Sequence, residues 1–334
     1  ELDRYLSQGW FRNSVLLHNS RVIGLGSSVH DVLNIRFALE NYTLRKSLRK
    51  LHKRVHEKYR VISQPVEITP EKEYLYRKHT NRFQGFLFES LDHFLFAYSG
   101  NSVFNTHEIC VYDQDQLIAY SLFDAGKRAM ASLLGVYAED YSKDSLGIFT
   151  MVEEITLAAK YGHAHYYPGY VLSNNPDFNY KLRLGTPEYL LPDLTWGSKE
   201  ELDSYVLPGQ LINQKVKEIK AFTTAHKLSG KLLANPFYSM GYGHFGKKKY
   251  CKGIKVWHGK KNEEHYLLEY DYEQEHFKVS QVKEDIKSTL LMTMKTTQDI
   301  GNREIYLPHI CEYKQEMGSS AQLVDLLPLL KELF

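Results

Sequence analysis

The sequence has few cysteines. Cys110, Cys251 and Cys311 are the only three in 334 residues, and they lie far apart. An odd number of widely spaced cysteines argues against a disulfide framework and against a paired CxxC metal site. We therefore expect a reducing compartment, with the cytoplasm as the simplest location.

Long apolar runs and a net charge of one sign are also missing. No stretch approaches the roughly 20 apolar residues that a membrane-spanning helix needs, and residues 1–5 do not begin a secretion signal, which has a basic region followed by an apolar one. The 42 basic and 40 acidic side chains nearly cancel. Membrane insertion and secretion are therefore not expected, and any nucleic-acid contact must depend on a local basic surface.

The length of 334 residues is enough for two domains, and the composition is that of a globular protein. Hydrophobic residues make up 43% of the chain and charged residues 25%, as in ordinary soluble domains. We place a small β-rich N-terminal lobe with a basic segment at residues 1–68. A core domain follows at 69–195, and a β-rich accessory region of helix and hairpins at 196–334.

The core domain shows a β-β-β-α-β pattern. Residues 108–112 and 117–123 form two strands around a short polar turn, and 129–137 form a third strand. An apolar-periodic helix at 146–161 and an aromatic strand at 164–172 follow. This order is typical of a mixed sheet with a crossover helix, so the predicted fold class is α+β with helices flanking the sheet.

The helix start at Ser145, Leu146 and Gly147 is a candidate binding element. Unpaired backbone N–H groups and the positive end of the helix dipole point outward there, toward an anion or a developing oxyanion. This arrangement suits an acyl group. The alternative is an ordinary N-cap, because Asp144 and Ser145 are both good capping residues.

Several short motifs, in one order along the chain, resemble the C-terminal core of aminoacyl-tRNA–protein transferases, the arginyl- and bacterial leucyl-transferases of the N-degron pathway. The motifs are Leu117-Ile118-Ala119 with Phe123-Asp124, Ser145-Leu146-Gly147 with Glu154-Ile155, Tyr167-Pro168-Gly169-Tyr170, and Tyr180-Lys181. Upstream, Tyr5-Leu6, Gly9-Trp10-Phe11-Arg12 and the basic run Arg45 to Arg60 resemble the N-terminal segment of the family. The resemblance covers residues 2–192.

The resemblance implies a GNAT-like acyltransferase core and a defined reaction. The free α-amine of an acceptor protein attacks the ester of an aminoacyl-tRNA, and no metal, nucleotide or other cofactor is consumed. The partners are then aminoacyl-tRNA and the N-termini of acceptor proteins. The chain departs from the family pattern around residues 18–20 and 24–28, where the N-terminal cysteine cluster is missing, so no metal site is expected.

Three residues are candidates for catalysis; Asp124 and Glu154 match the family, whereas His107 is chosen for its place in the sequence alone. Asp124 closes an apolar strand, where its carboxylate could hold the α-ammonium of the aminoacyl group; an exposed turn acid is the alternative. Glu153 and Glu154 point about 100° apart on a helix, so only one can face the sheet, and Glu154 matches the family. A buried Glu154 could accept the proton that leaves the attacking amine; a solvated surface glutamate is the alternative. His107 enters a strand and could shuttle a proton, although such a histidine is more often structural.

Aromatic residues mark a candidate substrate pocket on the strand after the helix. Pro168-Gly169 interrupts the strand, which often marks a bulge or a close approach of a ligand. Tyr167, Gly169 and Tyr170 are therefore candidate substrate-binding residues, with ordinary core packing as the alternative.

A phenol and two cations follow closely along the chain. Tyr180, Lys181 and Arg183 could clamp the 3′ phosphates of a tRNA and stack on its terminal base. Tyr180 and Lys181 are assigned to substrate binding and Arg183 to tRNA binding.

A second candidate tRNA-binding element is the basic segment. If residues 45–60 are helical, the spacing gives two neighbouring cationic rows. One row is Arg45, Arg49 and Lys53, and the other is Lys46, Lys50 and Arg54. Such a density of positive charge suits a phosphate backbone, and a solvated surface is the alternative.

The leading hypothesis is an aminoacyltransferase that moves an aminoacyl group from tRNA to a protein N-terminus. An acyl-CoA-dependent N-acyltransferase of the GNAT fold is a rival, but residues 140–147 contain one glycine where a pyrophosphate loop would need several. A relative that binds RNA or an N-degron without catalysis is a second rival, which the missing cysteines support.

Overall fold

The computed structural model describes residues 1–26, 28–81, 88–97, 102–242, 247–293 and 305–334. The chain forms two compact units. The first contains Glu1–Ser20 and Val32–Tyr205, and the second contains Arg21–Asp31 and Val206–Phe334. Residues 1–68 therefore contribute to both units. No helix among the described residues is long and apolar enough to cross a membrane.

Helices and strands are distributed along the whole of the described chain. The helices are α1 (Leu2–Ser7), α2 (Lys46–Lys58), α3 (Pro70–Thr80), α4 (Leu91–Phe96), α5 (Leu146–Lys160), α6 (Lys199–Leu202), α7 (Pro208–Ala225), α8 (Ile286–Thr293) and α9 (Leu327–Leu333). The strands are β1 (Phe11–Asn13), β2 (Leu16–His18), β3 (Val22–Leu25), β4 (Ser28–Ala38), β5 (Arg60–Pro65), β6 (Thr106–Asp113), β7 (Gln116–Ala125), β8 (Ala129–Tyr137), β9 (His165–Tyr167), β10 (Tyr170–Leu172), β11 (Glu188–Leu190), β12 (Trp196–Gly197), β13 (Lys231–Ala234), β14 (Lys255–Lys261), β15 (Glu264–Asp271), β16 (His276–Asp285) and β17 (Ile310–Ser320). Short 3₁₀ helices occupy Glu139–Asp144, Pro176–Leu184, Tyr238–Tyr242 and Leu323–Leu326.

The first unit is built on a mixed sheet. Its strand order is β12, β11, β4, β9, β8, β7, β6, β5, and β10 also pairs with β4. The neighbouring strands are antiparallel except β8 and β9, which are parallel and are connected through α5. A parallel pair requires such a crossover. The predicted α+β class is confirmed: a mixed sheet is flanked by helices.

Helix α5 is the centre of the core of the first unit. Its residues are largely apolar, and most of them are buried between the sheet and α2. Helix α2 is amphipathic: Leu48, Leu51 and Val55 recur at helical spacing and are buried in the same hydrophobic cluster as Phe149 and Val152 of α5. The cationic face of α2 is left at the surface.

Helix α3 is fixed to the sheet by a buried ion pair. It begins after Thr69, whose hydroxyl accepts the backbone N–H of Lys72 at 3.3 Å. The ammonium of Lys72 lies 2.5 Å from the carboxylate of Glu108 on β6, and the side chains are 2% and 0% exposed. Gln64 donates to the same carboxylate at 2.7 Å. A helix is predicted from residue 71 to 88; it ends at Thr80, and residues 82–87 lie outside the described residues.

The second unit contains a five-stranded antiparallel sheet in the order β13, β14, β15, β16, β17. Helices α7 and α9 pack on it through a cluster that includes Ile219, Leu268, Phe277 and Leu330. The β-rich character predicted for the C-terminal extension is thus confirmed. The sequence pattern does not predict strand β17, because the middle of this strand is polar and half exposed.

We expect Lys72→Met to destabilise the first unit by about 3–5 kcal/mol, because the carboxylate of Glu108 would remain buried without its cation. The second substitution Glu108→Gln, added to Lys72→Met, should recover much of the loss. Urea unfolding measures both effects, and Lys78→Met on the exposed face of α3 is the matched control, expected within about 0.5 kcal/mol of the unsubstituted chain. Equal stability of Lys72→Met and the control would contradict the importance of this pair.

Candidate active site

The cavity of the first unit begins where two parallel strands separate. The ladder between β8 and β9 ends at Ala131 and Tyr167. Pro168-Gly169 then breaks the strand, and β10 continues on β4 alone. Gly169 has a φ of +94°, a conformation that favours glycine, and its carbonyl accepts the N–H of Ile35 on β4 at 3.2 Å. Among the described residues, β8 beyond Ala131 therefore pairs with β7 alone.

A cavity of about 720 Å³ lies at this gap, within the size range of sites for small ligands. Its walls come from residues 132–135 of β8, the start of α5, the 3₁₀ helix Pro176–Leu184 and the hairpin of β1 and β2. All of these elements belong to the first unit.

The N-terminus of α5 opens into the cavity without a side-chain cap. Ser145 is left-handed, with a φ of +56°, and no side chain that the structure describes caps the helix. The carboxylate of Asp144 instead accepts hydrogen bonds from Tyr59 at 2.9 Å and from Lys58 at 3.2 Å. Leu146 and Gly147 line the cavity. The ordinary cap that the sequence allowed is not formed, and the positive helix end is available to a ligand.

Glu154 projects from α5 toward the sheet and lines the cavity. It is fully buried, and its Oε2 accepts a hydrogen bond from the hydroxyl of Tyr166 at 2.7 Å. Its Oε1 is buried and has no hydrogen-bond partner in the described part of the chain. Burial raises the pKa of Glu154 to about 7, although the Tyr166 hydrogen bond lowers it. A carboxyl group with such a pKa can exchange a proton near neutral pH.

Asp124 lies in the cavity wall as part of a buried ion pair. Its Oδ1 accepts hydrogen bonds from Arg12 at 2.8 Å and from Thr106 at 2.6 Å. The side chains of Arg12 and Asp124 are 3% and 2% exposed. Arg12 also donates to the carbonyl of Leu95 at 3.0 Å. Burial raises the pKa of Asp124, and the charge of Arg12 opposes this shift.

Lys181 lies in an aromatic cluster that lines the cavity. Its ammonium donates to the carbonyl of Tyr170 at 2.7 Å and lies 5.2 to 5.5 Å from the ring centres of Tyr170, Phe178 and Tyr180. Phe178 stacks on Tyr170 at 5.7 Å, and Phe11 of β1 contacts the same ring at 5.4 Å. Burial lowers the pKa of Lys181 to about 8.

The cavity brings together most of the predicted catalytic and substrate-binding residues. Those lining it are Asp124, Ser145, Leu146, Gly147, Glu154, Tyr167, Gly169, Tyr170, Tyr180, Lys181 and Arg183. His107 does not line it; its ring stacks on Phe123 at 5.8 Å, and its Nε2 lies 3.1 Å from Asn105.

The predicted tRNA-binding residues of the basic segment lie on α2, except Arg45, which precedes it, and they do not line the cavity. All are exposed: Arg45, Lys46, Arg49, Lys50, Lys53 and Arg54.

Sequence reasoning missed the part of the site that the N-terminal hairpin supplies. Phe11, Arg12 and His18 line the cavity, although the nearest predicted site residue in the sequence is Arg45. The sequence feature that could have indicated these residues is the Gly9-Trp10-Phe11-Arg12 motif. Only the fold shows that this motif lies beside the cavity. Phe178 was also missed, and it precedes Tyr180 by two residues.

The family described as "Arginine-tRNA-protein transferase, C terminus" matches residues 53–191. This segment, less than half of the chain, is thus similar to the C-terminal part of arginine-tRNA–protein transferases. The matched residues include α5, Asp124, Glu154 and Lys181, whereas Arg12 and the second unit lie outside them.

Two curated proteins illustrate the relationship. The aspartate/glutamate leucyltransferase of Campylobacter jejuni is 25% identical over 187 residues, which cover 53% of this chain and 74% of that protein. Arginyl-tRNA–protein transferase 1 of Saccharomyces cerevisiae is 32% identical over 79 residues, which cover 24% of this chain and 16% of that protein.

Likeness to solved structures is weak. The C-terminal domain of a putative lysylphosphatidylglycerol synthetase from Agrobacterium fabrum has a TM-score of 0.33 and 13% identity, covering 45% of this chain and 49% of that one. A score of this size carries no weight for fold or function.

We expect Glu154→Gln to be more stable than the unsubstituted chain at alkaline pH. The pKa of Glu154 in the folded chain, about 7, lies above the ordinary value of 4.5. The contribution of its protonated form to the free energy of unfolding is therefore fully present below about pH 4.5, and it is lost as the pH rises through about 7. Glutamine does not titrate, and the stability difference should grow by roughly 2–3 kcal/mol between pH 5 and pH 8. Denaturant unfolding at both pH values measures it, with the exposed Glu200→Gln as control. A pH-independent difference would contradict the raised pKa.

Proposed function

We propose that this chain transfers an aminoacyl group from aminoacyl-tRNA to the N-terminal α-amine of an acceptor protein. The observation that carries the proposal is that the family segment 53–191 supplies both the uncapped start of α5 and the buried carboxyl group of Glu154 to one cavity. Acyl transfer needs a site for the oxyanion and an acceptor for the proton of the amine. By analogy with the names of its relatives, arginine or leucine would be the transferred residue.

In the proposed reaction, the ester carbonyl lies at the N-terminus of α5. The amine attacks the carbonyl carbon, a C–N bond forms, and the oxyanion is stabilised by the backbone N–H groups of Leu146 and Gly147. Glu154 accepts a proton from the nitrogen, and the ester C–O bond then breaks. The 3′ oxygen of the tRNA leaves and takes up the proton that Glu154 accepted, which restores the carboxylate. No cofactor participates in this scheme.

Asp124 is proposed to receive the α-ammonium of the aminoacyl group. Both of its described hydrogen bonds fall on Oδ1, which leaves Oδ2 as the acceptor. Arg12 would orient the carboxylate, because its guanidinium is itself held by the carbonyl of Leu95. His107 is not used, since it lies outside the cavity lining.

The acceptor peptide is proposed to lie along the free edge of β8. In the described part of the chain, residues 132–135 pair with β7 and with no strand on their other edge. A short extended peptide could pair with this edge through its backbone, a common mode of peptide recognition. Its N-terminus would then lie in the cavity beside α5.

The tRNA is proposed to contact two surfaces. Its terminal base would stack on the aromatic cluster around Lys181, and the ammonium of Lys181 would meet a 3′ phosphate. The exposed cationic face of α2 would bind the backbone further along the acceptor stem. The bacterial relative is named as an aspartate/glutamate leucyltransferase. By analogy, the acceptors proposed for this chain are proteins recognised by their N-terminal residue, as in an N-degron pathway.

The direct test is to incubate the chain with pools of charged tRNA and with peptides that begin with Asp, Glu, Lys or Arg. We expect the mass of one amino acid to be added at the N-terminus of at least one class of peptide. Transfer should rise with pH through about 7, as the carboxyl group of Glu154 ionises, and then level off. Glu154→Gln should lose at least about 100-fold in rate, while Glu200→Gln should retain full activity.

Acetyl-CoA, supplied in place of charged tRNA, distinguishes the main rival. Acetylation of the peptides without any aminoacyl addition would overturn the proposal. The absence of both additions, with the chain folded by circular dichroism, would also overturn it.

The cationic face of α2 gives a separate expectation. The triple variant Lys46→Gln, Lys50→Gln and Lys53→Gln should bind tRNA more weakly. The slope of log Kd against log salt concentration should fall by about 2–3, because three cations no longer contact phosphates. The control Lys217→Gln, Lys220→Gln and Lys227→Gln removes the same charge from exposed sites of the second unit. Filter binding at several salt concentrations measures both; equal slopes would exclude α2 from the interface.

A further inference from the structure

Three metal-ligating side chains meet between α2 and α5, outside the cavity. The Nε2 atoms of His52 and His56 lie 2.7 Å and 3.0 Å from the same oxygen, Oε2, of Glu153. One ligand atom from each residue lies within 4.8 Å of the others. Among the residues that the structure describes, this is the one such group of three histidine, cysteine or acidic side chains.

Helix geometry explains why these side chains meet. His52 and His56 are four residues apart on α2, so their rings lie on one face, with ring centres 4.5 Å apart. Glu153 precedes Glu154 on α5 and points about 100° away from it, which directs it to α2. Both imidazole rings also contact the ring of Phe149, at 5.9 Å and 5.5 Å. The three ligands are therefore held by the packing of two helices.

The donor set and the spacing suit a first-row transition metal. Ligands about 2.0–2.1 Å from a tetrahedral Zn²⁺ lie roughly 3.3 Å from one another, so the N···O distances of His52 and His56 to Glu153 need to lengthen by roughly 0.6 Å and 0.3 Å. Two imidazoles and one carboxylate favour Zn²⁺ or a similar ion over Mg²⁺ or Ca²⁺, which prefer oxygen ligands. The side chain of His52 is 27% exposed and that of His56 39%. An ion can therefore enter, and water can complete its coordination.

The cationic side chains near the site do not block the entry of a metal ion. Arg49 donates to the carbonyl of Leu44, Lys53 lies 3.5 Å from Glu57, and Arg54 donates to the carbonyl of Asp144. These side chains are exposed, and solvent and salt screen their repulsion of an incoming ion.

We propose that His52, His56 and Glu153 bind one Zn²⁺ or related divalent transition-metal ion, with water as the fourth ligand. The ion cross-links α2 to α5. It joins the helix that carries the exposed cationic rows to the helix that carries Glu154. Its role is to fix the position of α2, and the ion takes no part in the acyl transfer.

Metal binding is tested on the full chain, produced without a polyhistidine tag and stripped with a chelator. Titration with Zn²⁺ alone, followed by calorimetry, should give one equivalent of tight binding. Co²⁺ should give the visible absorption bands of a four-coordinate nitrogen and oxygen site. Zn²⁺ should also raise the midpoint of thermal unfolding. No tRNA or peptide is present, so the result does not depend on the proposed function.

The variants His52→Asn and His56→Asn should each bind Zn²⁺ at least about 10- to 100-fold more weakly, the loss known even for outer-shell partners, and should lose the thermal shift. His276→Asn, an exposed histidine of the second unit, is the matched control and should bind as the unsubstituted chain does. If a histidine variant fails to fold, Glu153→Gln takes its place. Binding that is absent, or unchanged in these variants, would overturn the proposal in favour of a metal-free His–Glu hydrogen-bonded group.

Discussion

The separation of β8 from β10 is the constraint on which the site depends. The parallel ladder ends at Ala131 and Tyr167, and Pro168-Gly169 sends the chain onto β4 alone. Proline cannot donate a ladder hydrogen bond, and Gly169 adopts a φ that other residues avoid. The gap exposes one edge of β8 and creates the space into which α5 opens its N-terminus. A continuous strand over 164–172 would have closed this space with hydrogen bonds.

The buried carboxyl group of Glu154 opposes stability at the centre of the core. Oε2 has one partner, Tyr166, and Oε1 has none in the described residues. An apolar residue would pack there at less cost. Proteins retain such groups where chemistry requires a perturbed pKa, and the position of Glu154 beside an uncapped helix end fits that explanation better than a structural one. Asp124 is different, because Arg12 and Thr106 both donate hydrogen bonds to its Oδ1.

Elements with strong local periodicity were predicted closely, and the rest depended on distant partners. The helix predicted at 146–161 is observed at Leu146–Lys160, and the hairpin around residues 113–116 is also present. The role of Arg12 could not be predicted, because its partner Asp124 lies 112 residues away. The uncapped state of α5 was hidden for a similar reason. From the sequence, Asp144 is a candidate cap. Only the fold shows that its carboxylate accepts hydrogen bonds from Tyr59 and Lys58 instead.

Helix α2 shows how one short segment can satisfy three requirements. A helix with an apolar stripe at Leu48, Leu51 and Val55 leaves two flanks. One flank is solvent-exposed and cationic, and the other faces α5, where His52 and His56 meet Glu153. Charge density alone predicts the first flank, but it does not separate the histidines from the arginines and lysines around them. Their i, i+4 spacing was a usable signal. The third ligand, Glu153, could not be recognised from this spacing. It lies on α5, about 100 residues away in the sequence, and only tertiary packing brings it to the two histidines.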